Sequence, residues 1–251
     1  MSQKLIIVTG VSSGIGFQTT KDLLNKGYRV IGISRACSEK VEVLLTEFSG
    51  QFYFESCDLS ANIDDLPKLL VKLSKSFGRF SGLVHAAGVQ QTLPLRVNSY
   101  QKMLDVFNIN VFAGMALAKG VSDRRVCSEN GASIVFLSSI ASKTGAAGLV
   151  NYSASKAAVN GAMRAMAKEL APLNIRVNSV LPGFVKTEMI EQVEESYSTD
   201  FVEKIEEAYP LGIGSPEDVS NMIVFLLGEE SKWTTGCEFN VNGGATLGGQ
   251  E

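Results

Sequence analysis

The chain has 251 residues, 45% hydrophobic and 20% charged with six prolines, which supplies apolar material for a packed core and excludes a disordered protein. Lys and Arg number 23 against 26 Asp and Glu, a net charge of -3, so there is no basic footprint for nucleic acid or an anionic membrane and neither partner is expected. No run reaches the ~18 apolar residues of a membrane span, and the opening MSQKLIIVTG is too short in its apolar part for a signal peptide, so a cytoplasmic protein is expected. At this length α/β and barrel folds form one domain, here residues 1–251.

In chain order the strand candidates are Leu5 to Thr9, Arg29 to Ser34, Phe52 to Ser56, Leu83 to Ala86, Ser133 to Leu137, Arg176 to Leu181 and Glu238 to Val241. Between them lie stretches with helical spacing of apolar residues, such as Leu66, Leu69, Leu70 and Leu73. Continuous apolar strands separated by helices indicate a parallel sheet covered on both faces, a doubly wound α/β fold of Rossmann type. Two stretches interrupt the alternation. Ser138 to Asn151 is rich in Gly, Ala and Ser and requires tight turns; residues 184–214 are acidic and helical in pattern, and are expected to form a helical lid before a helix that opens at Ser215-Pro216-Glu217-Asp218.

The first strand runs straight into Thr9-Gly10-Val11-Ser12-Ser13-Gly14-Ile15-Gly16, which opens a helix reaching about Lys26. Glycines there let the chain turn sharply and let a pyrophosphate approach N–H groups at the positive end of a helix; a ligand-free tight turn would use the same residues. After the second strand the position that would grip an NAD ribose carries Ser34, then Arg35. With no carboxylate to repel it, a 2'-phosphate can pair with the guanidinium, which favours NADP(H) over NAD(H); Arg35 as a solvated loop residue is the bland alternative.

Tyr152 and Lys156, four residues apart, share one face of a helix running from Asn151 to about Ala171. A free phenol titrates near ~10; an ammonium close by, together with an oxidised nicotinamide, would pull it toward the working range and let it shuttle a proton. Such a pair on its own is usually a solvated surface pair. Four cysteines, Cys37, Cys57, Cys127 and Cys237, match neither a C-x-x-C motif nor a disulfide frame and read as buried or half-buried thiols. The single histidine, His85, leaves no His-rich metal site, no metal is expected, and on an apolar strand it reads as a satisfied core residue.

The spacing G-x-x-x-G-x-G in TGVSSGIG, with Ser139 placed before Tyr152-x-x-x-Lys156, resembles the short-chain dehydrogenase/reductase family, and by general similarity its 3-oxoacyl-[acyl carrier protein] reductase-like subgroup. The resemblance extends over essentially the whole chain, to Trp233-Thr234-Thr235-Gly236 and Val241-Asn242-Gly243-Gly244. It implies catalytic Asn110, Ser139, Tyr152 and Lys156, with Ser138 structural and Asn108 the alternative to Asn110. It implies a cofactor held by Gly10, Ser12, Ser13, Gly14, Ile15, Gly16, Arg35, Asp58, Leu59, Ala87, Gly88, Tyr152, Lys156, Pro182, Gly183, Val185 and Thr187, although Asp58 would look identical as a helix cap. The chain departs from the family at His85-Ala86-Ala87-Gly88, where N-N-A-G is usual.

An NADP(H)-dependent oxidoreductase is therefore expected, acting on a small carbonyl compound or secondary alcohol. A 3-oxoacyl thioester on acyl carrier protein is the alternative. Arg124 and Arg125 could meet that acidic partner, but Ala171-Pro172-Leu173-Asn174 is neutral and 191–207 is acidic. A non-catalytic sensor or scaffold is the rival from another class. The family commonly assembles through the helix holding Val159 to Met166, so a homotetramer or homodimer is expected, unless that face merely covers the sheet.

Overall fold

The computed structural model describes residues 3–187 and 208–247. Seven strands form one sheet: β1 Leu5–Thr9, β2 Arg29–Ser34, β3 Phe52–Ser56, β4 Gly82–His85, β5 Ala132–Leu137, β6 Ile175–Pro182 and β7 Glu238–Val241. All neighbours pair in parallel in the order β3-β2-β1-β4-β5-β6-β7. Among the described residues the α-helices are α1 Gly14–Asn25, α2 Glu39–Glu47, α3 Leu66–Phe77, α4 Tyr100–Phe107, α5 Gly114–Val121, α6 Ala141–Thr144, α7 Val150–Leu170 and α8 Pro216–Leu227, with a π-turn at Asn108–Ala113 joining α4 to α5.

The strands are apolar throughout because both faces are covered, and the two-residue period of a strand divides their side chains between two cores. Leu5 and Ile7 join Leu83, Ile134, Leu70, Leu117 and Met163 on one side. Ile6 and Val8 join Val84, Val135, Leu23, Ile223 and Leu227 on the other. The expected doubly wound architecture is what the chain forms.

Boundaries differ from the expected ones by about a residue. β4 begins at Gly82 and ends at His85, because Ala86 already belongs to the turn that crosses over the glycine loop; β5 and β6 each begin one residue earlier than expected. Ser138 to Asn151 contains the short helix α6 between its turns, with Gly145 and Gly148 at φ 65° and 78°. The excursion 184–214 is described only at its ends, and 188–207, where most of the expected lid falls, lies outside the described residues. Its two ends are clasped: Lys186 N–H donates to the Gly214 carbonyl at 2.9 Å and Gly214 N–H to the Phe184 carbonyl at 3.1 Å.

Among the described residues one helical stretch, Tyr100–Val121, is long and apolar enough by composition to cross a membrane, and half of its most apolar window is buried inside the fold. On α7, Val159 and Met163 are buried against the sheet while Gly161, Arg164 and Ala165 face outward. The apolar residues of that face thus serve the core. Cys37 and Cys57 are half-buried and Cys127 buried, but Cys237 is exposed, contrary to expectation, since it sits in the turn just before edge strand β7; all four thiols are free.

The clasped ends of the excursion deliver the chain to α8 through a capping box. Ser215 Oγ accepts from Asp218 N–H, and an Asp218 carboxylate oxygen accepts from Ser215 N–H at 2.7 Å. Removing an N-cap hydroxyl costs about 1 kcal/mol. Ser215→Ala should lower unfolding free energy in urea by that amount without changing the m-value; an unchanged midpoint would show that the cap contributes nothing.

Candidate active site

The site begins where the loop after β1 meets the turn after β4. Gly10 has φ 73°, and a Cβ placed there would stand 2.8 Å from the Ala87 nitrogen; a Cβ on Gly16 would stand 2.3 Å from the Gly10 carbonyl oxygen. Only glycine permits both approaches. Thr9 Oγ1 accepts the Ala87 N–H at 3.1 Å and stitches the two loops together. β1 and β4 are neighbours although three helices and two strands separate them in sequence, so this is the point of the sheet where the winding reverses. Ligands of open α/β sheets lie in the crevice at such a point.

A cleft of about 910 Å³ opens there. Its wall includes Gly10, Ser12, Ser13, Gly14, Ile15 and Gly16 from the glycine loop, with Arg35, Asp58 and Leu59 beyond β2 and β3. Ala87, Gly88, Ser139, Tyr152, Lys156, Pro182, Gly183, Val185 and Thr187 continue it past the β4, β5 and β6 ends. Every residue expected to touch a dinucleotide thus lines one continuous surface. No carboxylate occupies the first turn of α1, and the Ser13 side chain caps none of its N–H groups. The cradle under Gly10 and Gly16 therefore suits an anion such as pyrophosphate.

At one end Arg35 is exposed, and its charge helps hold the Asp58 carboxyl below the ordinary range, though the larger causes are the hydrogen bonds from the Ser60 hydroxyl and N–H to Asp58. Asp58 lines the cleft and closes a tight turn onto Ser60; it does not cap the following helical turn, whose N-cap is Asn62.

At the other end three side chains converge. Ser139 Oγ accepts the Ala141 N–H at 3.1 Å and stands beside the Tyr152 phenol, on whose proton affinity it acts. Lys156 Nζ lies 5.6 Å from the Tyr152 ring centre and donates to the Leu137 carbonyl at 2.7 Å. Ser138 is buried and donates its hydroxyl to the Lys156 backbone carbonyl at 3.0 Å, a purely structural bond.

Burial dominates the electrostatics. It pulls the Lys156 ammonium down to about 8 and pushes the Tyr152 phenol up, against the opposing influence of Ser139. The expectation that the ammonium lowers the phenol is not met by the protein alone, because the charge lies beyond hydrogen-bond reach and desolvation outweighs it.

Asn110 is buried within the π-turn and does not itself reach the cleft; its neighbour Ile109 does. Its carbonyl oxygen accepts from Val89 N–H at 2.8 Å, and its amide donates to the Val89 carbonyl and to Ser155 Oγ, both at 3.0 Å. Asn110 Oδ1 and Lys156 Nζ meet over Gly88, where a Cβ would lie 3.2 Å from the first and 3.4 Å from the second. Asn108 is half-buried at the start of the turn.

Sequence reasoning passed over several residues. Phe184 N–H donates to the Tyr209 hydroxyl at 2.8 Å, and both side chains wall the cleft beside Leu149 and Gln90. Asn98 and Asn151 exchange amide bonds at 2.6 and 2.9 Å, fixing the loop after β4 to the start of α7 one residue before Tyr152. None of these pairs has a spacing signature. Among the described residues no cluster of His, Cys, Asp and Glu could hold a metal.

A protein family described as enoyl-(acyl carrier protein) reductase matches residues 10–246. The chain belongs to the short-chain dehydrogenase/reductase family. It is an oxidoreductase of that family. Carbonyl reductase family member 4 of Danio rerio is 35% identical to it over 246 residues, 97% of this chain and 98% of that protein. The 3-oxoacyl-[acyl-carrier-protein] reductase FabG of Thermotoga maritima is 33% identical over 251 residues, 97% of this chain and 98% of that protein. Among solved structures, 4-hydroxyisoleucine dehydrogenase complexed with NADH superposes with a TM-score of 0.89 at 27% identity, covering 98% of this chain and all of that one.

In this oxidoreductase the glycine contact separates two effects. Gly10→Ala combines a positive φ with a backbone collision, while Gly27→Ala at φ 80° has nothing within 4 Å of the new Cβ. Thermal unfolding should show Gly27→Ala destabilised by about 1 kcal/mol and Gly10→Ala by clearly more, about 2–3 kcal/mol. Equal losses would mean that the loop-to-loop approach at Ala87 does not matter.

Proposed function

We propose that the protein is an NADP(H)-dependent reductase of small, uncharged carbonyl compounds, running in reverse as a secondary-alcohol dehydrogenase. The observation that carries this reading is the convergence of Ser139, Tyr152 and Lys156 at the far end of a cleft whose near end is a glycine cradle. The nicotinamide, when bound, supplies or accepts the hydride. Ser139 holds the substrate oxygen by its hydroxyl. Tyr152 donates the phenolic proton to that oxygen during reduction and takes it back during oxidation. Burial keeps the phenol protonated, which suits the donor role. Lys156 holds the ribose hydroxyls and carries the positive charge that steadies a phenolate as it forms, and Asn110 completes the path for the returning proton.

Arg35 is the residue proposed to hold a 2'-phosphate. Arg35 and Lys156 are the only cations among the described lining residues, and they stand at opposite ends. Near Ser139 the described wall is Ile140, Ala141, Ala146, Ala147, Leu149 and Phe184, without a charge, which favours a neutral substrate. The excursion 184–214 would cover this end, a role supported by its paired stems. Assembly into a dimer or tetramer and a cytoplasmic site of action belong to the same proposal.

The names of the similar proteins support a second reading, a 3-oxoacyl chain on acyl carrier protein. Arg125, one of two bases available to dock that carrier, is engaged with Asp123, its guanidinium lying 2.6 Å from the carboxylate, which weighs against it.

Consumption of NADPH with a panel of neutral ketones should be measurable, and Tyr152→Phe should reduce kcat by about 10²–10⁴-fold. A Tyr152→Phe enzyme as active as the parent would remove Tyr152 as the proton donor, and no NADPH consumption with any member of the panel would return the protein to the sensor or scaffold class. Arg35→Ala should weaken NADPH binding about tenfold or more while changing NADH binding little, since it removes one charge-assisted contact; equal losses would remove the 2'-phosphate assignment. The lowered Lys156 sets the sign of the pH profile. Its charge is present below about 8 and lost above, so kcat/KM for NADPH should fall as pH rises through that value. A profile flat to pH 10 would contradict a working ammonium.

A further inference from the structure

His85 stands where the chain departs from its family, and its ring is bonded at both nitrogens. The Ile109 carbonyl facing Nε2 can only accept, so in the neutral ring Nδ1 carries no proton and takes one from the Thr9 hydroxyl 3.1 Å away, whose oxygen also accepts the Ala87 N–H at 3.1 Å. Nδ1 is thereby the acceptor, and the ring proton resides on Nε2, which donates to the Ile109 carbonyl at 2.9 Å. Burial above all holds the imidazole down at about 4, with the Lys156 charge adding to it and the Ile109 bond opposing, so the ring is neutral. Packing fixes its plane as well. The ring meets Phe136 edge-on with centroids 6.1 Å apart, and a Cβ on Gly114 would stand 2.7 Å from its Cδ2.

The chain of bonds runs from Ala87 through Thr9 and His85 to Ile109. It ends inside the π-turn, a helical irregularity found frequently at functional sites. The residue after Ile109 is Asn110, whose amide grips both backbone groups of Val89 and whose oxygen shares the space over Gly88 with Lys156 Nζ. One ring therefore spans from the cofactor turn to the turn that presents Asn110. Burial alone requires both ring nitrogens to be bonded; what points further is where the bonds go, one to the glycine-loop side and one into the π-turn.

We propose that His85 is a positioning residue for the reaction: by holding the Ile109 carbonyl it fixes the π-turn, and through it the placement of Asn110 beside Lys156. The inference rests on the assignment of Ser139, Tyr152 and Lys156 as the reacting set. It takes no part in proton transfer itself, since both ring nitrogens are committed and the ring is buried.

Two substitutions divide the ring. His85→Gln carries an amide N–H to the Nε2 position and keeps the bond to Ile109; His85→Asn reaches only the Nδ1 position, keeping Thr9 and losing Ile109. His85→Gln should keep kcat within about threefold of the parent, while His85→Asn should lower kcat about tenfold or more with KM for NADPH nearly unchanged, as expected when a group is displaced by a fraction of an ångström. The alkaline limb of the pH profile should move in the Asn variant only. Equal kcat in the two variants, whether high or low, overturns the proposal.

Because the chain has one histidine, the ring ¹⁵N shifts of untagged parent protein report the same geometry without any variant having to fold. An Nε2–H tautomer unchanged from pH 5 to 9 is expected, and an Nδ1–H tautomer overturns the proposal. If Tyr152→Phe is inactive while the two His85 variants behave alike, His85 alone is misassigned. If Tyr152→Phe remains active, the reaction assignment has failed first.

Discussion

The close approach of the glycine loop to the β4 turn is the constraint on which the rest depends. With Gly10 against the Ala87 backbone, β1 and β4 lie side by side with no side chain between their ends, and the Thr9 hydroxyl closes the gap. That adjacency reverses the winding of the sheet and leaves a crevice above it. It also directs the start of α1 at one side of the crevice and brings the ends of β5 and β6, which carry Ser139 and Gly183, to the other. Any larger residue at position 10 would part the loops and with them both halves of the cleft.

Burial then decides the chemistry that the crevice can perform. Lys156 is a buried ammonium held by the Leu137 carbonyl, and its affinity for a proton falls to about 8, while the Tyr152 phenol is driven the other way. The protein alone therefore holds a protonated acid next to a cation ready to stabilise its conjugate base. That arrangement favours protonating a carbonyl oxygen. In the proposed reaction this pair would handle the proton in a chain whose one histidine is itself neutral and fully engaged.

Much of this was legible in the sequence, for identifiable reasons. Parallel strands buried on both faces are continuous apolar runs, so β1, β2, β3 and β7 are found at their observed ends. The glycine loop and the Tyr152/Lys156 pair depend on local geometry, over which spacing is a sufficient guide. What stayed hidden is held by contacts between distant segments. The π-turn at Asn108 has no composition signal, and the Thr9 to His85 bond joins residues 76 apart. Tyr209 and Phe184, or Asn98 and Asn151, meet only once the chain has folded. How far the Lys156 ammonium turns toward the Leu137 carbonyl, and how strongly burial raises the Tyr152 phenol in the protein alone, are likewise not told by proximity in a helix.

The central claim is that one cleft at the winding reversal holds the whole cofactor, with its phosphates on the glycine cradle and its reacting ring beside Tyr152. A crystal structure of the protein soaked with NADPH tests it most directly. The account predicts the pyrophosphate over Gly14–Gly16, the 2'-phosphate at Arg35 and the nicotinamide between Tyr152 and Val185. Density for the dinucleotide outside this cleft, or running through it with the nicotinamide at Arg35, would contradict it.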